Sequence, residues 1–137
     1  MTVAVAHQAS SSSKTIALQE AGREAHLRGT DLAVLHVVES LDLDVEDAYR
    51  NSLTAEIDSA LADVTATEVP WQLHLATAPD DVAETILRLA GTADAGLLII
   101  GARRRSPVGK ALLGSVTQTL ILEAEIPVLV VKAGATR

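Results

Sequence analysis

The chain reads as one α/β domain, a five-stranded parallel sheet with helices on both faces. Short apolar runs alternate with segments of helical period in the order βαβαβαβαβ, and the connections between them are short. The apolar residues make up 48% of the chain and are almost all aliphatic, with one Trp, one Tyr and no Phe. Parallel neighbours need a crossover helix between them, and strands covered on both faces appear as continuous aliphatic runs. At 137 residues the chain is long enough for one core, so residues 1–137 are expected to form a single domain.

Val3 to Ala6 is a short buried run that feeds a loop beginning His7-Gln8-Ala9, and Ser10 to Ser13 can cap the first helix. From Thr15 the period changes. Ala17, Ala21 and Ala25 recur at i+4, polar pairs fill the other face, and Gly29 stops the helix. Leu32 to Val38 is a second buried strand, apolar apart from His36. An acidic stretch crosses to a helix whose stripe is Leu53, Ile57, Leu61 and Val64, so its charges describe a solvated face. Trp71 to Ala76 alternates as a more exposed strand. Pro79-Asp80-Asp81 opens a third helix in which Val82, Ile86 and Leu89 point inward and Gly91 lies near the end. Gly96 to Gly101 is the clearest buried strand. Val116, Leu120 and Ala124 mark a fourth helix, and Pro127 introduces the fifth strand, Val128 to Val131.

Composition removes several function classes. With no cysteine there is no disulfide framework, thiolate metal site or cysteine nucleophile, which suits a reducing, cytoplasmic setting. Met1 to Ala9 lacks a basic segment leading into an apolar one, and no apolar run reaches membrane-spanning length, so neither export nor a membrane partner is expected. Two aromatic residues are too few for a platform that stacks single-stranded nucleic acid.

The net charge of −7 is unevenly placed: between Glu39 and Glu68 stand nine acidic residues against Arg50 alone. Gly101 to Lys110 carries Arg103, Arg104, Arg105 and Lys110 with no acid. A basic, glycine-containing loop on an acidic chain points to a local anion site rather than to general affinity for polyanions. In a doubly wound sheet, ligands sit outside the carboxyl ends of strands whose connections leave toward opposite faces. The loop after the fourth strand ends in Gly114-Ser115, where a helix begins and its free N–H groups favour phosphate. The plainer alternative is a flexible connection with solvated arginines.

Other motifs fail. Gly109-Lys110 has no glycine five positions before Gly109, and Ala111 stands where a P-loop holds magnesium with Ser or Thr. The histidines at 7, 26, 36 and 74 show no helical ligand pair; His36 and His74 fall on neighbouring strands, where an approach is conceivable, but satisfied structural histidines are favoured over a metal site. Asp80-Asp81 fits the first turn of a helix. The third strand ends at Leu75-Ala76-Thr77 without the acceptor aspartate of a receiver domain.

Residues 99–131, with Gly101 thirteen positions before Gly114-Ser115 and then Pro127-Val128-Leu129-Val130-Val131, resemble the C-terminal signature of the universal stress protein family. Val3 to Ser10, Leu27-Arg28-Gly29 and Val34-Leu35-His36-Val37-Val38 are also similar to that family, so the resemblance covers almost the whole chain. It implies a flavodoxin-like sheet of order 3-2-1-4-5 with four helices, a homodimer, and ATP binding in many members, with Mg2+ only as the nucleotide's companion. The family's nucleotide pattern is Gly, two residues, Gly, nine residues, then Gly and Ser or Thr. Gly101, Gly114 and Ser115 match it, and Arg104 stands at its second glycine. Gln8 occupies the place of an acidic residue and can still hydrogen-bond a base or ribose. By the same resemblance Val37 lies beside adenine, and Ser115, Val116 and Thr117 lie beside the phosphates. The candidate nucleotide site therefore comprises Ala6, His7, Gln8, Val37, Ile100, Gly101, Arg103, Arg104, Gly109, Gly114, Ser115, Val116 and Thr117.

The leading reading is an adenine-nucleotide-binding protein, with ATP as ligand and a regulatory or stress-response role. No Ser-His-Asp order, paired base or metal constellation supports turnover, so no catalytic residue is assigned. Two alternatives stay open: a nucleotide-free dimeric module in which Arg104 fills the phosphate site, and a slow ATP hydrolase. The dimer is expected to join partly through Val128, Leu129, Val130 and Val131, because the last strand should lie at a sheet edge that otherwise invites aggregation.

Overall fold

A computed structural model describes residues 1–7, 12–64, 68–103 and 114–133. Nine elements follow one another as β1 (Thr2–His7), α1 (Ser12–Arg28), β2 (Leu32–Val38), α2 (Glu46–Ala62), β3 (Trp71–Thr77), α3 (Val82–Thr92), β4 (Ala95–Arg103), α4 (Ser115–Glu123) and β5 (Val128–Ala133). The strands form one sheet in the order β3-β2-β1-β4-β5, every neighbouring pair parallel. This is the flavodoxin-like architecture and strand order that the resemblance implies.

Side chains alternate across a strand, so each central strand supplies two cores. Val3, Val5, Leu32, Val34, Leu97 and Ile99 face one way and meet α1 and α2. Ala4, Ala33, Leu35, Leu98 and Ile100 face the other way and meet α3 and α4. Most of these positions are inaccessible to solvent, and burying one such aliphatic side chain is worth roughly 1.5–3 kcal/mol. β3 is the exposed edge strand that its alternation predicts, with a pattern of intermediate and exposed positions.

The helices seat themselves by their small residues. Ala17, Ala21 and Ala25 put one face of α1 flush against the sheet. Gly22 lies where α1 crosses α2, and a Cβ there would stand 2.7 Å from Leu61 Cδ2. Gly29 ends α1 at φ 64, with its N–H on the His26 carbonyl at 3.1 Å and the Thr30 N–H on the Ala25 carbonyl at 3.0 Å. That pair of bonds is a Schellman stop, and its left-handed residue favours glycine. α2 buries Leu53, Ile57, Ala60 and Leu61 and turns its acidic residues outward. Val64, expected at the end of that stripe, lies in the turn beyond the helix and is half-buried.

α3 is opened by Asp81 rather than by both aspartates: the Asp81 carboxylate accepts the Glu84 backbone N–H at 2.9 Å. Its buried face is Ala83, Thr85, Ile86 and Ala90, with Val82 and Leu89 partly buried beside it. Gly91 is still helical, and Asp94 takes the left-handed position, φ 56, before β4.

Replacing Asp81 with alanine removes that cap and should lower stability by about 1 kcal/mol, whereas asparagine should retain most of it. Urea unfolding of the two variants, with unchanged denaturant slope, is the measurement; equal losses for alanine and asparagine would contradict a capping role.

Candidate functional site

The two helical layers decide where a cleft can open. β1 connects to α1 on one face of the sheet and the neighbouring β4 connects to α4 on the other. The connections diverge at the carboxyl ends of β1 and β4, which is where an open α/β sheet admits a ligand.

From the β1 side the site receives Ala6 and His7. Ala6 packs toward the α3/α4 layer together with Val37 from the end of β2 and Ile100 from β4. These three apolar residues from neighbouring strands therefore share one face. Gly101 stands opposite Val131 in the β4–β5 ladder, and Arg103 ends β4 opposite Ala133. Gly114, Ser115, Val116 and Thr117 form the entrance of α4. Gly114 is its N-cap, with φ −68 and ψ 162 and no side-chain cap bond, and its carbonyl accepts the Gln118 N–H at 3.0 Å. A Cβ built on Gly114 meets nothing within 4 Å. Ser115 is exposed, while Val116 is partly buried against the α3/α4 core. The first N–H groups of a helix have no intrahelical acceptor, and the helix dipole places partial positive charge there. Gln8, Arg104 and Gly109 lie outside the described residues.

His7 behaves differently from its neighbours. Its side chain turns toward the α1/α2 layer and is 2% exposed. Its Nδ1 lies 3.0 Å from Nδ1 of His36, which is 1% exposed, and its Nε2 lies 3.3 Å from Glu56 Oε2. On the far side, His36 Nε2 lies 2.6 Å from the Tyr49 hydroxyl. Burial, and then the Glu56 charge, raise the Tyr49 phenol above its ordinary value, so the hydroxyl keeps its proton.

An approach of His36 to His74, conceivable from the sequence, does not occur. In the β2–β3 ladder His74 is opposite Leu35 and His36 is opposite Leu75, so the two histidines point to opposite faces. In the β1–β2 ladder His7 is directly opposite His36. The signal was present in the spacing, since every partner in that ladder is 29 residues apart, as Val3 is from Leu32. Among the described residues no group of three His, Asp or Glu side chains is arranged to hold a metal ion. Two surface clefts, of about 250 and 470 Å³, lie at the amino ends of the strands, one beside Asp31 and Pro70 and the other beside Ala95 and Ile126, away from this site.

Removing the Tyr49 hydroxyl by Tyr49→Phe leaves a buried imidazole nitrogen without this partner and should cost about 1–3 kcal/mol of stability at neutral pH. Urea unfolding checks it, and a loss within error of zero would mean that the 2.6 Å contact contributes nothing net.

Similar proteins converge on one family. The model of the universal stress protein family matches residues 1–132. A universal stress protein of Mycolicibacterium smegmatis is 37% identical over 119 residues, covering 85% of this chain and 86% of the relative. Among solved structures, a universal stress protein from Archaeoglobus fulgidus superposes with a TM-score of 0.78 at 28% identity, covering 96% of this chain and 98% of that one. A universal stress protein from the same organism in complex with dAMP gives 0.73 at 24% identity over 96% and 98% of the two chains.

Proposed function

The chain belongs to the universal stress protein family, and on that premise we propose that it binds ATP at the carboxyl ends of β1 and β4 and serves a regulatory or stress-response role. The observation that carries this reading is the entrance of α4. It is opened by a glycine whose side-chain position is empty space, has no side-chain cap, and comes in the sequence four positions after Lys110, the last base of the segment that begins at Arg103. Helix N–H groups approached across a glycine, with arginines nearby, suit a triphosphate. The dAMP complex of the Archaeoglobus protein supports an adenine nucleotide as the ligand class. Ala6, Val37 and Ile100 supply an apolar surface for the base, and Gly101, Gly114, Ser115, Val116 and Thr117 surround the phosphates. His7 contributes through its backbone, because its side chain is engaged on the other face. By the family resemblance Gln8 is assigned to the base or ribose, and Arg103, Arg104 and Gly109 to the phosphates. Magnesium enters only with the nucleotide. Binding without turnover is the reading we adopt, in the cytoplasm.

Arg104 decides between this reading and a nucleotide-free module. A guanidinium is planar, permanently charged and able to hold phosphate in bidentate fashion. With Arg103 and Arg105 beside it and no acid in the run, Arg104 acts as a phosphate clamp.

The protein also forms a homodimer through β5. That strand is at the sheet edge, paired only with β4 among the described strands, and it presents Leu129 at 36% exposure. Ile121 and Leu122 of α4 are exposed beside it in sequence. Pairing of two such edges about a two-fold axis covers both.

Denaturing freshly purified protein and identifying the released small molecule should yield an adenine nucleotide. In titration calorimetry with ATP, Gly114→Val should abolish binding while the fold survives, and Arg104→Gly should weaken it by about 1.5–3 kcal/mol. Tighter binding by the glycine variant would favour the nucleotide-free module.

Sedimentation at micromolar concentration should show a dimer that Val130→Pro weakens, since proline removes a ladder donor. A wild-type protein that sediments only as a monomer would rule the interface out.

A further inference from the structure

We infer that the outer edge of β3 is a docking strand for an extended partner segment that carries basic and apolar side chains and adds to the sheet as a further strand. β3 is paired along one side: its residues lie in unbroken parallel register with β2, from Trp71 opposite Leu32 to Thr77 opposite Val38. Among the described residues no strand pairs with its other side. Two backbone bonds fix which groups that side carries. The Leu32 N–H donates to the Pro70 carbonyl at 2.9 Å, and the Ala78 N–H donates to the Val38 carbonyl at 2.8 Å. In a parallel ladder the N–H and C=O of one residue point to the same neighbour, and successive residues point to opposite sides. Gln72, His74 and Ala76, in step with Pro70 and Ala78, therefore bond to β2, whereas Trp71, Leu73, Leu75 and Thr77 turn their N–H and C=O outward.

An edge of this kind is ordinarily disarmed by lysine, proline, a bulge or a very short strand. β3 uses none of them. Trp71 to Thr77 holds no Lys, Arg, Asp, Glu or Pro, its register with β2 has no shift, and at 7 residues it is as long as β2. A row of outward donors and acceptors is what strand addition uses: the main chain supplies affinity, and the side chains beside it select the partner.

The flanking charges decide what pairs there. Glu68 stands exposed before the strand, Asp80 and Asp81 stand exposed after it, and Asp58 of α2 takes the Trp71 indole N–H at 2.8 Å. Against them is Arg50, two helical turns before Asp58 on the same side of α2. A second copy is a poor occupant. Two identical edges meet antiparallel about a two-fold axis, and full overlap centred on His74 puts Glu68 of each copy beside Asp80 of the other. A segment bearing lysine or arginine replaces that repulsion with attraction at both ends. Between the charges, Leu73 and Leu75 are partly buried against the α1/α2 core, and apolar atoms of the segment, including the stems of its basic side chains, would extend that cover. Neither a bound nucleotide nor pairing at β5 is required.

The experiment is amide hydrogen exchange of the full chain by NMR, with and without a synthetic peptide of alternating lysine and valine about eight residues long. In the protein alone the Trp71, Leu73, Leu75 and Thr77 amides should exchange fast, and those of Gln72, His74 and Ala76 slowly. Added peptide should slow the first set and leave the second unchanged, an alternation that a peptide held by charge alone would not produce. A peptide of alternating glutamate and valine should alter neither set. Thr77→Pro, which removes an outward donor and no bond to β2, should weaken binding of the lysine peptide about fivefold. Glu68→Lys combined with Asp80→Lys should weaken it at least about threefold at low salt. Outward amides already protected before peptide is added would show an edge that is covered, and would overturn the inference. Outward amides that stay fast at about 1 mM lysine peptide, or binding indifferent to both sets of substitutions, would overturn it as well.

Discussion

Hydrogen-bonding five strands in parallel is possible only if both faces of the sheet are covered, and nearly everything else in this molecule answers that demand. Parallel neighbours are joined by crossover helices, which supply the cover, so β1, β2 and β4 must be apolar at consecutive positions. Val3, Ala4 and Val5 illustrate it, since none of the three is exposed and they serve two different cores. The helices need small residues where they touch the sheet and each other, which accounts for the alanines of α1 and for Gly22 against Leu61. A polar side chain in such a sheet is tolerated at strand ends, where a partner can reach it.

That constraint also separates the molecule's two polar regions. On the α3/α4 side of the carboxyl edge, Ala6 and Val37 are partly buried against the core that holds Ile100. On the α1/α2 side, His7 and His36 form a buried polar pair under α2. The strands are the same, and adjacent residues of β1 and of β2 serve the two regions: Ala6 with His7, and Val37 with His36. A change of backbone position at the end of β1 is therefore felt on both faces, and the acidic helix α2 is tied to the sheet at the carboxyl ends of β1 and β2.

Charge is distributed in keeping with this division. The acids between Glu39 and Glu68 lie mostly on exposed positions of α2 and its flanks, and two of them have specific work: Asp58 accepts the Trp71 indole N–H at 2.8 Å, and Glu56 faces His7. In the sequence the basic residues from Arg103 to Lys110 fall instead at the end of β4 and between it and α4.

Much of the architecture was legible in residues 1–133 because burial on both faces leaves runs that only parallel strands explain, and because Gly29, Asp81 and Gly114 mark helix ends by backbone chemistry that operates locally. The helix start at Gly114-Ser115 was visible for the same reason, as a contiguous pattern. The histidine pair was not. Pairing His36 with His74 failed because neighbouring strands bring together residues by register and parity, and β3 is offset so that Leu75 takes the place opposite His36. The sequence alone determined which segments are strands and helices, since those depend on neighbours along the chain. Only the tertiary structure decided that His7 and His36 meet and that α2 supplies both Tyr49 and Glu56, because contacts between residues 29 apart depend on how strands align across hydrogen bonds.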